Sequence, residues 1–243
     1  MAPEDNRTGR REHRRVRMAV QVSYRSTGSF LVSYSVDMSQ GGLFIETARP
    51  REIGTELELW LAIPGAQQDV RLKGTVVWIR REAQGDQPPG MGVKFSQVEM
   101  DCGQLIDQLV RHFSGLRGLV VSSSSRTRGQ LTRMLRAALM IDIDDHRLDA
   151  PYSSEGHDPY DLVVVDLGEG DEAALQLLED ILSVGEATAV VAMSGHPSVR
   201  QRALESGVHA VISGPPGQSE LRGAVLRALA RPLAQPVDEL EDE

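Results

Sequence analysis

Two short motifs set arginines, a carboxylate, a hydroxyl and glycines at fixed intervals. Arg10-Arg-Glu-His-Arg-Arg15 contains an R-x-x-x-R spacing, with Arg11 and Arg15 as one pair and Arg10 and Arg14 as a second register. Further along, Asp37-Met-Ser-Gln-Gly-Gly42 reads D-x-S-x-x-G. Guanine presents two acceptors, O6 and N7, on one edge, and an arginine fork meets them bidentately. A phosphodiester also takes arginine. Asp37 offers an acceptor to the donor edge of guanine, and Ser39 serves a phosphate oxygen or a base. Gly41 and Gly42 let backbone approach a ligand closely. The pair of motifs suits an anionic ligand that carries guanine. Taken singly, each motif has a plainer reading. Arginines near a terminus often form a solvated or nucleic-acid-binding arm, and Asp37 and Ser39 suit Asx and Ser turns at a strand end.

Nothing else in the chain presents a comparable set. The histidines at 13, 112, 146, 157, 196 and 209 have no metal-ligand spacing. Asp142, Asp144 and Asp145 cluster locally and read as flanking a short solvated strand. Cys102, the only cysteine, excludes an intramolecular disulfide and any all-cysteine metal site. No nucleophile motif or glycine-rich phosphate loop occurs, so neither enzyme activity nor a cofactor or metal is expected.

The elements that must hold these residues change character along the chain. Up to about Ser96 the apolar period is two: Val20, Val22 and Tyr24, then Leu57, Leu59, Leu61 and Ile63, then Val70, Leu72, Val76 and Trp78. Such alternation marks strands with one buried face. Turn signals at Gly28, Gly41-Gly42, Pro64-Gly65 and Pro88-Pro89-Gly90 separate about six short strands, an expected small antiparallel barrel or sandwich. Leu105, Ile106, Leu109, Val110 and Phe113 fall on one helical stripe, which predicts a closing helix. Beyond residue 115, strands at Gly118–Val121, Leu162–Val165, Thr188–Met193 and Ala210–Ile212 alternate with helical patterns near 171–184, 198–206 and 218–230. That alternation predicts a doubly wound α/β domain with a parallel sheet. Pro151, Gly156 and Pro159 break the stretch before Tyr160. The resulting division is an Arg-rich arm over 1–16, a β domain over 17–114, an α/β domain over 115–231 and an acidic, disordered tail over 232–243.

Composition agrees with two domains. The chain has 243 residues, 40% hydrophobic, with a net charge of −9. Residues 1–115 hold 15 basic and 14 acidic side chains, a balance of +1, whereas residues 116–243 hold 11 and 21, a balance of −10. Halves so different in charge call for different binding partners, and the second makes nucleic acid an unfavourable one. No apolar run reaches the roughly 18–20 residues that span a bilayer. The Arg-rich start lacks an apolar signal segment, so the expected location is the cytoplasm.

The two motifs, the following Gly42-Leu-Phe-Ile45, the Val76-Val-Trp78 strand and Gly90-Met-Gly-Val-Lys-Phe95 resemble a PilZ domain over roughly residues 10–113. The resemblance implies a six-stranded barrel that binds cyclic di-GMP, often as an intercalated dimer. It assigns Arg11 and Arg15 to guanine edges and phosphates, Asp37, Ser39 and Gly42 to the partner base, and Arg10 and Arg14 to accessory charge. Residues 116–231 resemble a response-regulator receiver. Asp166, closing Asp161-Leu-Val-Val-Val-Asp166, matches the phospho-acceptor, and Ser194 matches the hydroxyl residue after the fourth strand. The acidic pair that would hold Mg²⁺ is replaced by Ser122 and Ser123, and the lysine after the fifth strand by Gly214. The second half is therefore expected to be a pseudo-receiver, with Asp166 and Ser194 vestigial and its last strand and last two helices offered as a docking face. The resemblance implies a signalling protein that relays cyclic di-GMP to protein partners in motility or surface behaviour. The alternative is an adaptor for motility or cell polarity that needs no nucleotide.

Overall fold

Alternating burial builds the first sheet. Leu57, Leu59 and Leu61 point inward from strand β3 (Glu56–Ala62), between half-buried neighbours. Leu43 and Ile45 do so from β2 (Gly42–Glu46), and Val70, Leu72 and Val76 from β4 (Val70–Arg80). With β1 (Met18–Ser23) and β5 (Gly90–Val98) they enclose one apolar core. The computed structural model describes residues 18–36, 38, 41–64, 66, 70–84, 87–98, 102–150, 159–170, 172–183 and 188–236.

Two expectations for this half are corrected. The segment after β1 is not a strand but helix α1 (Thr27–Val36). Ser26 caps it, its hydroxyl accepting from the Ser29 N–H at 3.1 Å. Phe30 and Ser33 face the first core, where Tyr24 meets the Phe30 ring edge-on at 5.1 Å, while Val32 packs into a different core. A helix buried on two sides has no single apolar stripe, which hid it from periodicity. Gly28 is a close approach rather than a turn: a Cβ there would stand 2.3 Å from Leu116 Cδ2 and 3.1 Å from the Phe113 ring.

The second correction concerns the sixth strand, which comes from beyond the α/β domain. β11 (Leu233–Pro236) runs antiparallel to β1, pairing Val22 with Ala234. Residues 233–236, expected at the head of a disordered tail, are therefore part of the sheet. Acidity had argued against packing, but it begins only at Asp238, after this strand. The strand order is β11-β1-β3-β4-β5-β2, with β1 and β3 parallel and the other pairs antiparallel. The sheet curls until β11 and β2 touch without forming a ladder, so it is an open, curled mixed sheet rather than a closed antiparallel barrel. Helix α2 (Cys102–His112) covers it with Leu105 and Leu109. Val110, expected on the same stripe, is exposed, and Phe113 turns to the second domain's core.

The second sheet is parallel throughout, in the order β10-β9-β8-β6-β7. Its strands are β6 (Leu116–Val121), β7 (Ile141–His146), β8 (Leu162–Asp166), β9 (Ala189–Met193) and β10 (Ala210–Ile212). Leu162, Val163, Val164 and Val165 are all buried, as a strand covered on both faces requires. Helices α3 (Ser125–Ala138) and α6 (Gln218–Ala230) share one core, while α4 (Glu172–Ser183) and α5 (Pro197–Glu205) share the other. Counted from β6, this is the 2-1-3-4-5 order of doubly wound flavodoxin-like domains. Asp142, Asp144 and Asp145, expected to flank a short solvated strand, instead lie within β7 at exposed positions and pair with Arg136, Arg117 and Arg128.

Candidate functional site

The D-x-S-x-x-G loop joins α1 to β2. Arg10, Arg11, Arg14, Arg15, Asp37 and Ser39 lie outside the described residues, and its glycine end lies within them. Gly41 has φ +84°, a left-handed conformation that glycine adopts without a Cβ clash. Its N–H donates to the Met38 carbonyl at 2.9 Å, and its own carbonyl accepts from the Phe95 N–H at 2.8 Å. Met38 is buried beneath the loop, where the Tyr24 hydroxyl reaches its sulfur at 3.4 Å. Gly42 pairs with Lys94 on β5, and a Cβ there would meet the Val93 carbonyl oxygen at 2.9 Å. The glycine end of the loop is thus seated on backbone.

Leading away from Gly42, the outward positions of β2 carry Phe44 and Glu46, opposite Gly92 and Gly90 of β5. Trp78 and Arg80 of β4 face those same two glycines. The shift of register between Val76 and Trp78 is a β-bulge that leaves Val77 and Trp78 both exposed. Trp78 lies across Gly92, where a Cβ would be 2.0 Å from its Nε1. Phe44 stacks on Trp78 at 5.4 Å and 8°, and the Arg80 guanidinium sits 5.4 Å and 5.3 Å from the two ring centroids. An aromatic and cationic platform, with Trp78 exposed and Phe44 and Arg80 half-buried, therefore follows the glycine end of the loop along β2. Sequence reasoning used Trp78 only as a strand marker and missed Phe44 and Arg80. Their spacing on separate strands becomes a cluster only through the register and the bulge.

The second candidate site has a different character. The Asp166 carboxylate accepts from the Ser122 hydroxyl at 2.9 Å and from the Gly168 N–H at 3.2 Å. Ser194 turns its hydroxyl away, donating to the Gly168 carbonyl at 2.6 Å. Arg128 ties down the Ser122 carbonyl at 2.7 Å and pairs with Asp145. A divalent cation here would find one carboxylate, already bonded, and serine hydroxyls where further charged oxygens are needed. The residues do not fit Mg²⁺, a hard cation held by carboxylates and phosphates. Among the described residues no group of three His, Cys, Asp or Glu is arranged to hold a metal, and no helix is long and apolar enough to cross a membrane.

A third cluster, missed from sequence, sits where the domains meet. Arg25, just after β1, donates to the Arg231 carbonyl, and its Nη2 lies 2.9 Å from His209 Nε2. The other ring nitrogen of His209 accepts from the Val190 N–H at 2.9 Å. Both neighbours are donors, so a protonated ring would satisfy neither. Burial, and then the charges of Arg25 and Arg231, push the His209 pKa down to about 3. Arg231 in turn pairs with Glu46 at 3.2 Å, and the Ser29 hydroxyl of α1 donates to the Leu229 carbonyl of α6 at 2.6 Å.

Residues 9–112 match the family model described as PilZ domain. A comparison with curated protein sequences finds no match. Among solved structures, the chain is similar to a pilus assembly protein from Burkholderia thailandensis, with 21% identity over 48% of this chain and 99% of that one, and a TM-score of 0.42. A pilus assembly-related protein from Burkholderia pseudomallei gives 20% identity, 49% and 93% coverage and a TM-score of 0.42. The signal receiver domain of the response regulator NarL from Mycobacterium tuberculosis gives 17%, 48% and 98%, and 0.38. The flavodoxin-like strand order of the second sheet is also that of CheY. Residues 9–112 thus belong to the PilZ domain family, and the domain that follows them is receiver-like in fold.

Proposed function

We propose that this protein is a cytoplasmic receptor for cyclic di-GMP that works by binding and protein contact rather than catalysis, in control of motility or surface behaviour. One observation carries this reading. Within the family match, both ligand motifs keep their residue types, and the D-x-S-x-x-G loop ends on backbone beside a partly exposed aromatic–arginine platform. Arg11 and Arg15 grip guanine edges and phosphates, with Arg10 and Arg14 as accessory charge. Asp37, Ser39, Gly41 and Gly42 receive the partner base. Trp78 and Arg80 supply a π face and a guanidinium plane, surfaces on which bases stack.

Isothermal titration of the full chain with cyclic di-GMP tests the proposal. Micromolar or tighter binding is expected, abolished in Arg11→Ala and in Asp37→Ala, with both variants keeping the wild-type melting temperature. Absence of heat in the wild type would make the motifs vestigial and leave the nucleotide-independent adaptor as the function.

A further inference from the structure

Both ends of the D-x-S-x-x-G loop are fastened to the receiver-like half. The element before the loop, α1, lies against α6, with the Ser29 hydroxyl on the Leu229 carbonyl and Val32 in the core that α6 shares. The element after it, β2, ends at Glu46, whose carboxylate holds Arg231, the first residue after α6. β11 then pairs with β1, the strand that leads into α1. The loop therefore cannot change shape at either end without moving an element that rests on α6 or on its continuation.

We infer that α6 and β11 are the readout of the loop: a nucleotide seated at Asp37–Gly42 tightens the α1–α6 and Glu46–Arg231 contacts, and those contacts in turn strengthen nucleotide binding. This rests on the nucleotide site proposed above. Coupling between two sites is reciprocal, so whatever the ligand does to the clamp, the clamp does to the ligand's affinity. An anchored loop also loses less freedom when it is occupied. The face of α6 turned toward α1 is occupied within the chain, so that part of the last two helices is already taken. A partner reading this half meets α6 through its tension against α1.

Two measurements on the full chain test the inference. In the first, Glu46→Gln and Ser29→Ala are titrated with cyclic di-GMP, and backbone hydrogen exchange is followed with and without nucleotide. Both variants are expected to raise Kd at least about five-fold, the lower range of allosteric coupling, and nucleotide is expected to slow exchange over residues 225–236 in the wild type. Unchanged Kd in both variants, or protection confined to residues 37–46, would overturn the coupling while leaving the receptor intact. The second measurement needs no ligand. Gly41→Val strains the loop at its positive φ, and exchange over 225–236 is expected to quicken. A change restricted to the loop and β2 would overturn the inference even if no nucleotide binds.

Discussion

His209 concentrates the chemistry of the domain junction in one ring. Its folded pKa of about 3 lies below the ordinary 6.5, so the unfolded chain takes up a proton that the folded chain refuses. The stability associated with the neutral ring is complete above pH 6.5 and is lost as pH falls toward 3, at no more than about 1.4 kcal/mol per pH unit. Between pH 7 and pH 5 the loss approaches about 2 kcal/mol. His209→Asn, which keeps an acceptor for the Val190 N–H, is expected to flatten that slope in urea denaturation at the two pH values. An equal slope in wild type and variant would place the titration elsewhere. The residue was invisible in the sequence because its neighbours come from just after β1, from β9 and from just after α6, three places that no spacing rule connects. By contrast, the reading of Asp166 and Ser194 rests on residue types that the sequence prints directly. The serines at 122 and 123 and the missing lysine are differences of residue type at known positions, and the Ser122–Asp166 hydrogen bond is their physical outcome.

Among the elements, those with one buried face or two buried faces of a single sheet were readable. Period-two alternation located β3 and β4, and the continuous run at 162–165 located β8 with helices on both sides. The helices after residue 171 followed from their stripes, and Gly207, with φ +95°, closes α5 as expected of a glycine just past a helix end. Misreading came where an element serves two cores at once, as α1 does, or where a strand is too short to show a period, as β11 is. Gly28 makes the distinction measurable. Its replacement by valine forces side-chain volume against Leu116 and Phe113, with an expected cost of about 1–3 kcal/mol from overpacking. Gly129→Ala, in open space on α3, is expected to add up to about 1 kcal/mol through helix propensity. Opposite signs in chemical denaturation would identify Gly28 as a contact between domains, whereas similar effects would reduce it to a helix-propensity position.

For the molecule as a whole, the charge division and the two sheets suggested separable halves, and the sheets are distinct. What the sequence hid is that the chain crosses back: β11 follows the entire parallel sheet in sequence and then joins the first one. Intact protein is therefore expected to unfold in a single calorimetric transition. A chain ending at Pro232 lacks β11 and is expected to show two transitions, the first at lower temperature, and to self-associate in sedimentation through the newly exposed edge of β1. One unchanged transition in the truncated chain would show that α1 and α6 alone bind the halves together. The return of β11 also bears on synthesis. Domains emerging from a ribosome generally fold in order, the first before the second, but here the earlier sheet stays one strand short until the later domain has been translated. The edge of β1 is thus the part of a nascent chain that a chaperone has most reason to shield, and stalling translation before residue 233 should hold it in that guarded state.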